Sequence, residues 1–106
     1  MAELPAPVAA AIDATNRGDS EAFVAAFAAD AVLSDWGKEF AGREAIRDWD
    51  RSDNIGRGAH FEVLGVEQEG GLCRVAVEVS GGGFNGTSEF AFRVADGLIA
   101  RFEITP

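Results

Sequence analysis

TSEFAFRVADGLIARFEIT, residues 87–105, alternates apolar and polar side chains on both sides of Asp96-Gly97, and its reading decides the fold. Asp-Gly between two alternating runs is a hairpin signal, because a two-residue turn that suits the strand twist needs positive φ at both central positions. Side chains two apart on a strand share a face, so Phe90, Phe92 and Val94 form one row and Phe102 and Ile104 continue it on the next strand. Upstream, HFEVLGVEQ (60–68) and LCRVAVEVS (72–80) alternate in the same way. They are separated from each other by Glu69-Gly70-Gly71, and from the final hairpin by the glycine-rich SGGGFNG (80–86). The pattern predicts four antiparallel strands in a meander. Val75, Val77 and Val79 extend the apolar row, while Arg74, Glu78, Glu89, Arg93, Arg101 and Glu103 occupy the opposite one. A sheet with one apolar and one charged face needs a cover over the apolar side.

The first half of the chain supplies that cover. Pro5 and Pro7 suit a helix start, and Val8, Ile12 and Thr15 recur at helical spacing until Asn16-Arg17-Gly18. Asp19 is a good N-cap for a second, alanine-rich helix in which Phe23 and Phe27, four apart, share a face. A strand-like AVLSDW follows, and then a third helix from about residue 43 to 51 that carries Ile46, Trp49 and Asp50 on neighbouring turns. Helices followed by strands, without alternation, indicate an α+β fold with the helices on one face. Phe23, Phe27 and Trp49 would meet Phe90, Phe92 and Phe102 between the layers, which gives either a packed core or a pocket.

The chain has 106 residues, enough for a single domain, 1–106, with one core. Its formal charge of -9 and the scatter of its nine Lys and Arg disfavour nucleic acid and anionic membranes, both of which require clustered positive charge. One cysteine, Cys73, excludes an internal disulfide and a multi-cysteine metal cage, and its register with Val75 and Val77 makes it a small buried apolar residue. No basic residue precedes Arg17 and no apolar run approaches the ~20 residues of a membrane span, so a cytoplasmic location is expected.

Several motifs invite chemistry and fail on inspection. Gly81-Gly82-Gly83-Phe84-Asn85-Gly86 matches G-x-G-x-x-G literally, but a strand follows where a dinucleotide site needs a helix. Asp48, Asp50 and Asp53 suggest a calcium loop. Ser52 stands at the third ligand position, Asp53 where glycine is required and Ala59 where the terminal glutamate belongs, so a solvated helix end is expected and no metal. Two features remain. Asp35 ends the first strand inside Ser34-Asp35-Trp36, and the bland reading is an aspartate bonded to its own turn. His60, the only histidine, opens a strand and could serve as a second proton-handling group.

The element order, with N-R-G-D at 16–19, F-A-A-D-A-V-L at 27–33, G-R-E-A-I-R at 42–47 and F-R-V-A-D-G-L-I at 92–99, resembles the nuclear transport factor two-like superfamily, and within it the small SnoaL-like proteins. The resemblance implies a curved antiparallel sheet wrapped on three helices into a cone, commonly a homodimer through the sheet. It also implies relatives that range from ketosteroid isomerase-like and polyketide cyclase-like enzymes to non-catalytic binding and interaction modules. Asp35 falls where the isomerases keep their general base. Where those enzymes have a phenol on the first helix this chain has Ala11, and where they have a protonated aspartic acid it has Phe90, which argues against steroid isomerisation. The expectation is a domain for a small hydrophobic ligand, lined by Trp36, Trp49, Phe27, Val77, Phe90 and Phe102. If catalytic, it would work by cofactor-independent proton transfer with Asp35 as base and His60 as its partner. The alternative is a ligand-binding or protein-interaction module without chemistry.

Overall fold

The computed structural model describes residues 3–106. Helix α1 (Ala6–Arg17) carries a proline in its first turn and stops at Gly18, whose φ of 73° lets its N–H reach back to Ala14 O and Thr15 O. Asp19 caps α2 (Ser20–Ala25) through the Ala22 N–H, at 3.1 Å. Strand β1 (Phe27–Asp35) and the short β2 (Lys38–Ala41) form a hairpin, α3 (Arg43–Asp53) follows, and a 3-10 turn (Ile55–Arg57) leads into β3 (His60–Glu69), β4 (Leu72–Ser80), β5 (Gly86–Ala95) and β6 (Leu98–Thr105).

The fold is α+β, with three helices over one face of a curved sheet, as expected. The sheet is larger than the meander: it has six strands in the order β2-β1-β6-β5-β4-β3, and β1 runs parallel to β6. Phe27 is therefore a strand residue and not the end of a helical face. Two interactions stop α2 short of it. Ile99 N donates to Ala26 O at 2.9 Å, drawing the chain into the ladder, and the Arg43 guanidinium donates twice to Phe27 O, at 2.9 and 2.7 Å, occupying the carbonyl that a continuing helix would use. The Phe23 and Phe27 rings still meet, with centroids 5.1 Å apart.

The register of the meander follows the alternation. Phe90 faces Val75 on one side and Ile104 on the other, and Phe92 faces Cys73 and Phe102. Phe92 and Phe102 stack with centroids 4.4 Å apart, Phe90 stands edge-on to Phe102 at 5.0 Å, and Phe61 stands edge-on to Phe90 at 4.9 Å. Offset and edge contacts of this kind contribute about 0.5–1.5 kcal/mol per pair beyond burial. The opposite row, Arg74, Glu78, Glu89, Arg93 and Glu103, faces solvent, and Arg101 pairs there with Glu39 at 3.1 Å. Burial raises the Cys73 thiol above its ordinary pKa, so it stays protonated within the core. Most of the space between the layers is thus closed, which settles the alternative of core or pocket for all but one end of the sheet.

Candidate functional site

At that end Asp35, the last residue of β1, turns through Trp36 and Gly37 into β2. Trp36 has φ 53° and Gly37 φ 90°, the positive pair that a tight hairpin demands. An indole at positive φ is uncommon, and it is held by Trp36 N donating to Ile104 O at 3.1 Å. The turn throws the Trp36 ring outward, where it is 58% exposed and meets the edge of Phe84 with centroids 6.0 Å apart. Asp35 points the other way. Its Oδ2 accepts from Trp49 Nε1–H at 3.0 Å, and no described residue donates to Oδ1. Trp49 is fixed in turn by stacking on Phe23 at 6.1 Å and by an edge contact with Phe102 at 6.4 Å. The carboxylate and the indole of Ser34-Asp35-Trp36 therefore share a strand end because one faces inward to a donor and the other forms a rim.

Together they border a cleft. Its deep walls are Phe90, Phe61, Val79, Ile104, Trp49 and Asn54, and its rim is Trp36, Phe84, Gly83 and Asp53, with Ala59 and Ser88 between. The volume is about 70 Å³. At about 10–15 Å³ for each water site, that admits a handful of waters or a small organic group. Two acidic residues, Asp35 and Asp53, line it, and among the described residues no Lys, Arg or His does.

The glycine-rich segment builds the rim. Gly81 N donates to Asn85 Oδ1 at 3.2 Å, and Asn85 Nδ2 donates to Gly81 O at 2.9 Å and Gly83 O at 3.1 Å, so the loop is tied to itself while Phe84 projects. It lies flat on the 57–59 segment: a Cβ at Gly81 would stand 2.6 Å from Gly58 O, and one at Gly82 2.9 Å from Arg57 O. Close backbone approach, and not phosphate binding, accounts for the run of glycines.

Behind the cleft lies a buried polar tie. Asn54 Nδ2 donates to Thr15 Oγ1 at 3.1 Å and to Asp50 Oδ1 at 3.0 Å, and Thr15 Oγ1 donates to Ala11 O at 3.0 Å. Ile55 N reaches Asp50 Oδ1 at 3.4 Å, while Asp50 Oδ2 is buried without a partner among the described residues. Asp50 is only 1% exposed, which corrects the expectation of a solvated helix end. The three aspartates diverge: Asp48 pairs with Arg51, Asp53 accepts from Ser52 Oγ, and Asp50 turns into the core. No group of three His, Cys, Asp or Glu that could hold a metal gathers among the described residues.

Of the residues singled out from sequence, Asp35, Trp36, Trp49 and Phe90 come together at the cleft. Phe27, Val77 and Phe102 do not line it. They are 0–1% exposed and sit in the closed part of the core, because the helices press directly on the middle of the sheet. His60 also stays away: it is exposed and pairs with Ser80, while the next residue, Phe61, faces inward. Ala11 is buried in α1 without reaching the cleft, and Phe90 brings no donor to it. Sequence reasoning missed Asn54, Asp53, Ser88, Phe61 and Phe84 at the cleft, and Asn16, which clamps Phe61 by accepting from its N–H at 2.7 Å and donating to its O at 2.9 Å. Phe84, an isolated aromatic among glycines, was the one readable signal. No helix among the described residues is long and apolar enough to cross a membrane.

Residues 8–102 match the SnoaL-like domain family. No curated protein matches the sequence. Among solved structures, a Sinorhizobium meliloti protein provisionally assigned as a polyketide cyclase is 33% identical, with a TM-score of 0.85 and 96% of this chain and 95% of that one covered. The Δ5-3-ketosteroid isomerase of a Mycobacterium species superposes with a TM-score of 0.83 over 95% of this chain and 90% of its own, at 17% identity, a likeness of fold alone. A cystatin-fold protein of Novosphingobium aromaticivorans has a TM-score of 0.79, 18% identity and coverage of 95% and 96%.

Proposed function

The chain belongs to the SnoaL-like domain family, and on that premise we propose that its cleft binds a small, largely apolar molecule and that Asp35 takes a proton from it without a cofactor. One observation carries the reading: Asp35 lines an aromatic cleft with Oδ2 held by Trp49 Nε1–H, and no described residue donates to Oδ1. A carboxylate with one oxygen pinned presents the other in a fixed direction, which is what general-base catalysis needs. Removing the proton from a carbon beside a carbonyl leaves an enolate. Where a double bond is conjugated with it, returning the proton from Asp35 at a further carbon gives isomerisation; giving that proton to a departing β-hydroxyl releases water and completes dehydration; and attack on a second carbonyl leaves an alkoxide that takes the proton back, which is aldol-type closure.

The developing oxyanion has little help. Ser88 Oγ already donates to Thr105 O at 2.6 Å, and both Asn54 Nδ2 bonds go to protein acceptors. A preorganised oxyanion donor is worth about 10²–10³ in rate, so turnover by Asp35 alone should be slow. The same observation favours a second reading, a binding module in which Asp35 only recognises its ligand. Two copies are proposed to join through the charged outer face around Arg74, Glu89 and Arg93, which sedimentation would test.

The test of catalysis needs no knowledge of the substrate. Exchange of the α-hydrogens of cyclohexanone for deuterium, followed by proton NMR in D2O, reads proton abstraction directly. Catalysed exchange by the native chain that falls about 10²-fold or more in Asp35→Asn supports the base. Equal exchange in the two refutes it, and absence of exchange in both favours the binding module.

A further inference from the structure

The two carboxylates of the cleft lack a cation. Asp13, Asp19, Glu21, Glu39, Asp48 and Glu103 have an arginine partner, whereas Asp35 and Asp53 belong to the acidic residues that pair with no Lys, Arg or His among the described residues. Two nearby cations form no ion pair with them. Lys38 stands opposite Asp35 in the hairpin register, yet its Nζ lies over the Phe40 ring, 5.4 Å from the centroid. Arg57 packs beside the glycine loop, but its Nε donates to Ser52 O at 3.1 Å.

At the rim, uncompensated negative charge meets exposed aromatic surface. Phe84 is 49% exposed and Trp36 58%, although the two rings make an edge contact. Asp53 abuts the same loop, with its backbone oxygen 3.8 Å from where a Cβ of Gly83 would stand. Faces of Trp and Phe attract organic cations through the ring quadrupole, and alkylated ammonium groups gain most because they shed water easily. A wholly neutral ligand would use the rings and Asp35 and leave Asp53 without a charge to answer. An anionic ligand would meet two like charges.

We propose that the cleft takes a small organic ammonium compound, its alkylated cationic end held at the rim by Trp36 and Phe84 beside Asp53, and its uncharged end directed to Asp35. This rests on the cleft being the ligand site, and not on Asp35 acting as a base. Asp53 and the rim set which molecules enter, while Asp35 and Trp49 meet the part that reacts or is recognised. The absence of any basic side chain from the lining is the selectivity element against carboxylate and phosphate compounds.

Choline and its neutral carbon isostere 3,3-dimethyl-1-butanol differ in charge at nearly constant shape. Both would be titrated into the native chain with the Trp36 and Trp49 indole N–H resonances followed by NMR. The expected result is about tenfold tighter binding of choline, with the larger shift at Trp36. In Asp53→Asn and in Trp36→Leu the preference should fall towards unity. Equal affinities for the two probes, or a choline preference that survives both substitutions, would overturn the assignment. Cyclohexanone exchange reads Asp35 alone, so loss of the base reading and loss of the ammonium reading are separate outcomes.

Discussion

Asn54→Ala should be among the most damaging single substitutions in the chain, although Asn54 belongs to no regular element. The side chain is 1% exposed and joins α1 to the end of α3 through Thr15 and Asp50. Truncation removes two hydrogen bonds worth about 0.5–1.5 kcal/mol each. It also leaves Asp50 Oδ1 with only the 3.4 Å contact from Ile55 N, beside an Oδ2 that already lacks a partner. An acceptor stranded in the core costs about 1–3 kcal/mol, part of which is the same loss seen from the other side, so the net effect is about 2–4 kcal/mol. For a domain whose total stability is about 5–15 kcal/mol that is a large fraction. Urea unfolding followed by tryptophan fluorescence should show a lower midpoint at unchanged slope, and the melting temperature should drop by about 10–25 °C. Asp50→Asn gives the contrast. It keeps an oxygen towards Asn54 and Ile55 and exchanges one unpartnered atom for another, so it should cost less than about 1 kcal/mol. A loss below about 1 kcal/mol for Asn54→Ala, or equal damage from the two variants, would refute the argument that Asn54 holds the helices together.

Gly56→Ala should destabilise by about 1–3 kcal/mol or more, since a Cβ there would lie 1.5 Å from Arg51 O and the helix-to-turn junction must shift; thermal melts report it. Asp19 provides the pH dependence. The Ala22 N–H, and after it Arg17, hold its carboxyl below the ordinary 3.8, so the folded state favours the ionised form. That contribution is complete above the unfolded value and fades as pH falls through the folded one. Asp19→Asn, which caps a helix without titrating, should therefore show a flatter melting temperature against pH below about 4, and parallel curves would count against the cap.

Strand alternation made most of the sheet and its facing legible, and Gly18 with Asp19 marked the junction of the first two helices. Phe27 misled because local spacing favoured a helix, whereas its backbone is claimed by Arg43 and β6, which lie far along the chain. β2 escaped notice because four residues, Lys38–Ala41, carry no period that distinguishes a strand from a loop. Asp35 and Trp36 could be picked out, since a carboxylate and an indole at a strand end are conspicuous. His60 was picked for its residue type although the alternation already put it on the row of Glu62, opposite Phe61. Asp50 and Asn54 were unreadable: burial of a polar side chain depends on the partner that satisfies it, and that partner, Thr15, is on another helix.

The parallel contact between β1 and β6 has a bearing on how the chain acquires its fold. Leu33 lies beside Phe102, and Asp35 beside Ile104, so the earliest strand is completed by the latest one. Among the described residues the β1–β2 hairpin has no strand beside it but β6, and a two-stranded ribbon by itself is marginal in water. Closing so long a loop carries its entropy cost before any contact repays it, which slows folding. The cleft is complete only once β6 has docked, because Ile104 both lines it and stands beside Asp35.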